Sequence, residues 1–123
     1  MKFAFTLSCK LVSLTNAREH WRKRAERAKA QRLAAKIEAI VHLTHGGHLL
    51  GRGSWVVTIT RLGKRKLDDD NLASSAKHVR DGIADALGID DGDERLRWRY
   101  RQETPKPYGV RVEMVGGDDG KHP

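Results

Sequence analysis

Acidic residues are concentrated in one stretch of an otherwise strongly basic chain. Of the sixteen Asp and Glu residues, nine lie between Asp68 and Glu94. Lys77 and Arg80 are the only Lys or Arg residues in that window, which carries a net charge of −7, whereas the rest of the chain carries +15. Carboxylates so close together repel and raise each other's pKa unless a cation lies among them. A divalent cation would meet that need, and the basic remainder would suit a polyanion, so the contrast favours metal-dependent cleavage of nucleic acid.

The length and composition are typical of one small domain with a polar surface. The 123 residues suffice for a single core, and we predict one domain over 1–115 followed by a disordered tail over 116–123. A net charge of +8 and a pI near 10 favour binding to nucleic acid or another anionic surface. Cys9 is the single cysteine, which excludes an intrachain disulfide and a cysteine-based zinc site.

The chain contains no sequence signal for export or membrane insertion. Its N-terminal apolar run is too short for a signal peptide. No stretch approaches the roughly 20 apolar residues that a membrane-spanning helix needs. We therefore expect a cytoplasmic protein that does not enter a membrane.

The spacing of apolar residues predicts elements in the order β-α-β-α-β-β. Alternation of apolar and polar residues favours strands, and recurrence at steps of three and four favours helices. Asn16 is the expected N-cap of the first helix. The predicted elements are, in chain order, 2–12, 17–43, 54–62, 71–87, 94–102 and 108–115. We expect an α/β (α+β) fold in which two main helices pack on a mixed β-sheet.

The two predicted helices differ in their surfaces. In the second half of the first helix, the predicted core stripe is Ala30, Leu33, Ala34, Ile37, Ile40 and Val41. The first half is almost wholly basic, which is typical both of a solvated face and of a surface that meets phosphates. In the second helix, the predicted core residues are Leu72, Ala76, Val79, Ile83 and Ala86. Asp70, Lys77 and Asp81 then lie on its opposite face.

Asp68 and Asp70 form the first candidate for a chemical site. In an extended segment, both side chains would point the same way, about 6–7 Å apart. With a third carboxylate from the Asp90–Asp91 turn they would suit Mg²⁺ or Mn²⁺, because both ions prefer oxygen ligands. Aspartates before a helix are equally typical of capping, where the helix dipole favours negative charge. The spacing alone leaves both interpretations open.

Basic residues suited to a phosphate chain lie on both sides of this stretch. Lys77 is either a group that stabilises charge near a phosphate or an exposed lysine paired with Asp81, four residues on. Alternate arginines in the strand at 94–102 are about 6–7 Å apart, close to the phosphate spacing of one DNA strand, although an exposed sheet face has the same pattern. The predicted DNA-binding residues are Arg22, Arg24, Arg27, Lys64, Arg65, Lys66, Arg95, Arg97, Arg99 and Arg101.

The order of these residues resembles the RusA family of Holliday junction resolvases. The matching motifs are Asp68-x-Asp70-Asn71-Leu72, Lys77-x-x-x-Asp81-Gly82 and Gly88-Ile89-Asp90-Asp91. The resemblance implies metal ligands at Asp68, Asp70 and Asp91, which we favour over Asp90, with Lys77 assisting. Two features depart from the family pattern. The lysine follows Asp70 by seven residues instead of four, and this difference of three residues is nearly one helical turn. In addition, Leu11-Val12-Ser13-Leu14 replaces a proline-rich segment.

This resemblance implies a Mg²⁺-dependent endodeoxyribonuclease that resolves four-way DNA junctions by paired nicking of opposed strands. A metal-activated water would attack the phosphodiester, and Lys77 would stabilise the developing charge. A two-fold homodimer would present two such sites, with Trp55 and Trp98 as candidates for its interface. Two other functions are compatible with the sequence: a non-catalytic DNA- or RNA-binding module with a structural acidic turn, and a phosphohydrolase for small phosphate esters, which has little use for so basic a surround.

Overall fold

The part of the chain that the structure describes forms a mixed sheet with three helices. The computed structural model describes residues 2–12, 20–45 and 53–116. Its elements are β1 (Lys2–Leu7), α1 (Trp21–His45), β2 (Trp55–Leu62), α2 (Asp69–Ser75), α3 (Lys77–Leu87), β3 (Leu96–Glu103) and β4 (Gly109–Gly116). The predicted α+β class is confirmed, and the order differs from the prediction only in that two helices stand between β2 and β3. No helix in the described part of the chain combines the length and the apolar character needed to cross a membrane.

The four strands lie in the order β1-β4-β2-β3. β4 pairs antiparallel with both β1 and β2, whereas β2 and β3 run parallel. A parallel pair needs a crossover connection, and α2 and α3 provide it. β1 and β3 are therefore the edge strands of the sheet.

The core lies between one face of the sheet and helices α1 and α3. The buried sheet residues on that face are Phe5, Leu7, Trp55, Val57, Ile59, Leu96, Val110, Val112 and Met114. They meet buried residues of the two helices, such as Ala39 of α1 and Ile83 of α3. The other face, here called the open face, carries mostly exposed or half-exposed side chains. Trp55 is only 5% exposed and Trp98 packs against the core, so both candidates for the dimer interface have places in the core.

The predicted second helix is interrupted at Ala76, which has φ −93° and ψ 2°. The apolar spacing continues through this point, so it could not show the break. Two adjacent serines explain it: the Ser74 hydroxyl donates to the Asn71 carbonyl at 3.2 Å and the Ser75 hydroxyl to the Leu72 carbonyl at 2.7 Å. Such bonds compete with the helical backbone ladder.

The predicted core stripe of the first helix is only partly right: Ala34 and Ile40 pack against the core, whereas Ala30, Leu33, Ile37 and Val41 are exposed. Leu33, Ile37 and Val41 are 54%, 50% and 40% exposed. The residues that α1 buries are Gln31, Ala35, Ala39 and Leu43. Small side chains face inward because α1 crosses α3 closely: a Cβ added at Gly82 would lie 3.0 Å from the Ala35 Cβ and against the Arg32 carbonyl, far inside van der Waals contact.

Several predicted boundaries shift or cannot be compared. α1 extends to His45 instead of ending at Leu43, β3 begins at Leu96 instead of Glu94, and β4 includes Gly116, which was assigned to the tail. The predicted N-cap Asn16 and the tail residues 117–123 lie outside the described residues.

Candidate functional site

Asp68, Asp69 and Asp70 lie where the loop after β2 enters α2. Asp68 occupies the N-cap position with extended backbone (φ −63°, ψ 157°), whereas Asp70 is already in the first helical turn, so the two do not share one extended segment. The Asp68 side chain makes no capping hydrogen bond. All three residues are exposed, and within the described residues their carboxylates have no hydrogen-bond or ion-pair partner. Capping therefore does not account for the Asp68 carboxylate, although the helix dipole still favours negative charge here.

Gln102 of β3 fixes the residue that precedes this acidic stretch. The Leu67 N–H donates to Gln102 Oε1 at 2.9 Å, and Gln102 Nε2 donates to the Leu67 carbonyl at 2.8 Å. The side chain thus pairs with both backbone groups of Leu67. This role was not predicted, although the sequence holds a signal for it: the inward positions of the strand run Leu96, Trp98 and Tyr100, and the amide of Gln102 comes next in that series.

Asp91 is bound by Arg80 of α3. Arg80 Nε donates to Asp91 Oδ2 at 2.9 Å, and Arg80 Nη2 lies 3.3 Å from the Asp91 carbonyl oxygen. The same guanidinium donates to the Tyr100 hydroxyl at 2.8 Å and stacks over the Trp98 ring at 4.8 Å. Trp98 Nε1 also donates to the Asp91 carbonyl at 2.9 Å. In the sequence, Arg80 stands out only as a charge in the acidic window, because nothing in the pattern shows that it reaches across to β3.

The remainder of the 90–95 turn is also satisfied internally. The exposed Asp90 accepts the Gly92 N–H at 3.0 Å, as is usual for an Asp-Gly turn. Arg95 donates to Asp93 through Nε at 3.0 Å and Nη2 at 2.9 Å. These side-chain bonds lower the pKa of Asp93 to about 2. Arg95 thus supports this turn, and it lies immediately before β3 instead of within it.

Lys77 has the intrahelical partner that its spacing allowed. Its Nζ lies 3.3 Å from Asp81 Oδ2, with the lysine side chain 59% exposed. Arg32 of α1 donates to both oxygens of Asp85, at 2.6 and 2.9 Å, and lies 3.9 Å from Asp81. The hydrogen bond from Arg32 lowers the pKa of Asp85. The acidic face of α3 is thus neutralised by cations of α1 and of α3 itself.

The predicted ligands do not form a metal site as arranged here. Among the described residues, no group of three His, Cys, Asp or Glu side chains is placed to hold a metal ion. Asp68, Asp70 and Asp91 have suitable oxygen donors for a hard divalent cation. However, Gln102 holds Leu67, the residue before Asp68, whereas Trp98 holds the backbone of Asp91. Gln102 and Trp98 are four residues apart along β3, a distance of about 13 Å. The chemistry of the donors fits, but their arrangement does not.

Three arginines of β3, here called the arginine row, project from the open face. They are Arg97, Arg99 and Arg101. All three are exposed, and none has an ion-pair or hydrogen-bond partner within the described residues. Because side chains alternate along a strand, the row lies on the opposite side of the sheet from Trp98 and Tyr100, and hence from Asp91.

The remaining predicted DNA-binding residues belong to α1 and to the loop before α2. Arg22 and Arg24 of α1 are exposed, and Arg27 is half-buried. Lys64, Arg65 and Lys66 are exposed in the loop that leads to Asp68. Arg61, which the sequence analysis passed over, is buried and supports that loop. Its Nη1 donates to the Arg65 carbonyl at 2.6 Å, and its Nε donates to the Leu11 carbonyl at 3.0 Å.

Comparison with known proteins finds a relative but assigns no family. No family model matches the chain. The chain is 40% identical over 78 residues to a protein of Xylella fastidiosa (strain Temecula1 / ATCC 700964) that is described as an uncharacterized protein. The match covers 62% of this chain and 51% of that protein, so the chain spans about half the length of this relative.

Proposed function

We propose that the protein is a divalent-metal-dependent endodeoxyribonuclease that resolves four-way DNA junctions, as its RusA-like motifs imply. The observation that carries the proposal is that some of its aspartates have ion-pair partners and others do not. The carboxylates of Asp68, Asp69 and Asp70 are exposed and without a partner in the described structure. Further along the chain, ion pairs with Arg or Lys engage Asp81, Asp85, Asp91 and Asp93. Three adjacent carboxylates kept without a counter-ion in a strongly basic protein favour a ligand role over a structural one.

The proposed cofactor is Mg²⁺ or Mn²⁺, with Asp68, Asp70 and Asp91 as its ligands. When bound, such an ion lowers the pKa of a water molecule and neutralises charge on a phosphoryl group. Lys77 is proposed to stabilise the negative charge that develops on the phosphate. Ligation by all three aspartates requires the start of α2 and the 90–93 turn to lie closer together than they do here.

The proposed DNA substrate meets two basic surfaces on opposite sides of the chain. One is the arginine row on the open face, and the other is the basic first half of α1 with the loop at 64–66. Both are rich in Lys and Arg, whose affinity for phosphates falls as the salt concentration rises. The proposed homodimer is supported by the exposed apolar ridge of α1, formed by Leu33, Ile37 and Val41 at a helical spacing of four.

The deciding experiment compares cleavage of a synthetic four-way junction with cleavage of a linear duplex, with Mg²⁺ and with EDTA. Asp70→Asn should abolish cleavage, because it removes a ligand charge while keeping the side-chain shape. Its junction binding should persist or tighten, because there is less repulsion of phosphates. Asp69→Asn is the matched control: it is adjacent, equally exposed and loses the same charge, and it should cleave nearly as well as wild type.

A well-folded Asp70→Asn protein that keeps most of its cleavage rate would refute the catalytic assignment. Junction binding by the wild-type protein without any metal-dependent nicking would favour the second candidate, a non-catalytic DNA- or RNA-binding module. The engagement of Asp91 by Arg80 supports that second candidate, since it gives the 90–93 turn a structural role.

A further inference from the structure

We infer that Trp21, at the start of α1, is a stacking platform for an unpaired nucleobase, and that the cations beside it bind the phosphates of the same strand. The inference rests on the proposed function for the choice of DNA as the partner, but it depends on no metal ion and on no cleavage. It adds recognition of a base to a basic surface that was proposed above only to meet phosphates.

The first two turns of α1 project from the body of the protein. Every residue from His20 to Glu26 is exposed, and the first side chain that α1 buries is that of Gln31. Trp21 is 60% exposed. Its ring lies beside its own neighbours in sequence, with the His20 ring centroid at 5.5 Å and the Arg22 guanidinium carbon at 5.3 Å. Trp21 is therefore no part of the core, and its exposure to water is unfavourable unless a partner covers it.

The surroundings of this ring are positively charged. Residues 21–29 contain five Lys or Arg residues against one carboxylate. An open groove of about 360 Å³ beside the ring is lined by Trp21, Arg22, Ala25, Glu26 and Lys29. Ala25 lies about one helical turn from both Trp21 and Lys29, and its small side chain leaves room beside the ring. A nucleotide whose base lies on the ring therefore has cations for its phosphates, Arg22 next to the ring and Lys29 further along the groove.

An unpaired strand fits this combination better than a membrane surface does. Proteins bind single strands by stacking bases on aromatic rings within a positively charged groove, and a guanidinium plane also stacks on a base. A membrane-surface helix instead needs one continuous apolar face. At about 100° per residue, Trp21 projects about 160° away from Ile37, which belongs to the exposed apolar ridge of α1. The ring and the ridge therefore cannot enter the same membrane surface.

The base must be unpaired, because a base inside a duplex is covered on both faces by its neighbours and is out of reach of a side chain. The test therefore measures binding of a fluorescein-labelled oligothymidylate by fluorescence anisotropy, in EDTA, so that no metal ion and no cleavage are involved. The comparison strand has the same length, with abasic sites in place of the thymines. It keeps the phosphates and lacks the bases.

Trp21→Ala should weaken oligothymidylate binding about tenfold, a typical effect of losing one stacked base. Its binding of the abasic strand should change little. The salt dependence of oligothymidylate binding should remain that of wild type, because no charge is lost. Trp21→Phe keeps an aromatic face and should restore most of the affinity. Both substitutions lie at an exposed helix end and should leave the fold intact, which circular dichroism checks.

Tyr108→Ala is the matched control. Tyr108 is another exposed aromatic residue beside a cation, with Lys10 Nζ 4.3 Å from its ring centroid. This variant should bind both strands as wild type does. An equal loss in Tyr108→Ala would show a general effect of exposed rings and would overturn the inference.

Two other results would also overturn it: a wild-type protein that binds the two strands equally or binds neither, and an unchanged affinity of Trp21→Ala for oligothymidylate. If Trp21→Ala instead lost binding to vesicles of phosphatidylcholine and phosphatidylserine and kept oligothymidylate binding, Trp21 would belong to a membrane surface. The proposed nuclease activity fails separately, through the absence of metal-dependent nicking of the four-way junction by wild type.

Discussion

At Gly82, the backbones of α1 and α3 approach so closely that a side chain has no room. A Cβ there would press against the Arg32 carbonyl, a backbone atom that cannot rotate away. Gly→Ala inside a helix is ordinarily stabilising. Here we expect Gly82→Ala to lower the free energy of unfolding by about 1–3 kcal/mol, the usual cost of overpacking, as measured by urea denaturation.

Gly92→Ala serves as the control for this prediction. Its added Cβ would meet only the Asp90 carboxylate, at 3.2 Å, which is the end of a flexible side chain. Its stability should change little. A Gly82→Ala protein as stable as wild type would show that the two helices have room to separate.

The residues that the sequence revealed at this scale are those proposed to carry the chemistry themselves. Asp68 and Asp70 stand out by charge and spacing, and the structure leaves both carboxylates exposed. Arg80 and Gln102 could not be found in the same way, because their roles depend on residues that the fold brings near from far along the chain. Gln102 and Leu67 are 35 positions apart. The sequence indicates such a contact only through the position of Gln102, a polar residue at an inward position of a strand.

At the scale of the element, α1 shows why apolar periodicity misidentified a buried face. The stripe that includes Leu33, Ile37 and Val41 is the more hydrophobic one, yet the helix turns Ala35 and Ala39 inward. Close helix contact selects for small volume and not for maximal hydrophobicity. Periodicity alone does not record how near the neighbouring helix lies.

The same substitution on each face of α1 tests this orientation. Ala39→Glu should unfold the protein, because Ala39 is 0% exposed and the substitution places a charge in the core. Ile37→Glu should leave the free energy of unfolding of the monomer nearly unchanged. If the apolar ridge forms the proposed dimer interface, Ile37→Glu should also convert dimer to monomer in sedimentation analysis.

Circular dichroism melts and sedimentation velocity are sufficient for this comparison. An Ala39→Glu protein that folds normally would contradict the assigned core face. A dimeric Ile37→Glu protein would move the dimer contact to another surface.

On the scale of the whole molecule, the sheet separates the arginine row from the acidic residues. The row lies on the open face, and Asp91 lies on the face that carries the helices. We expect Arg99→Ala to weaken junction binding and to reduce the salt dependence by up to about one released ion. Single-turnover cleavage of the saturated complex should change little, because Arg99 is on the other side of the sheet from Asp91.

Arg32→Ala is the control for Arg99→Ala. This substitution removes the same charge, but Arg32 is already paired with Asp85 on the helical side of the sheet. Arg32→Ala should therefore change the salt dependence of binding less than Arg99→Ala. The measurements are junction binding at several salt concentrations and cleavage at saturating protein. An unchanged salt slope in Arg99→Ala would mean that the open face does not contact DNA.

The strand order also determines when the protein can complete its sheet during synthesis. β4 is a central strand, although it is the last described strand along the chain. Among the described strands, β1 pairs with β4 alone, and the first residue pair joins Lys2 to Val115. Contacts between residues so far apart close large loops and slow folding. Until residues 109–116 have left the ribosome, β1 and β2 each expose an edge to other nascent chains, so this protein should be a good substrate for chaperones that shield unpaired strands.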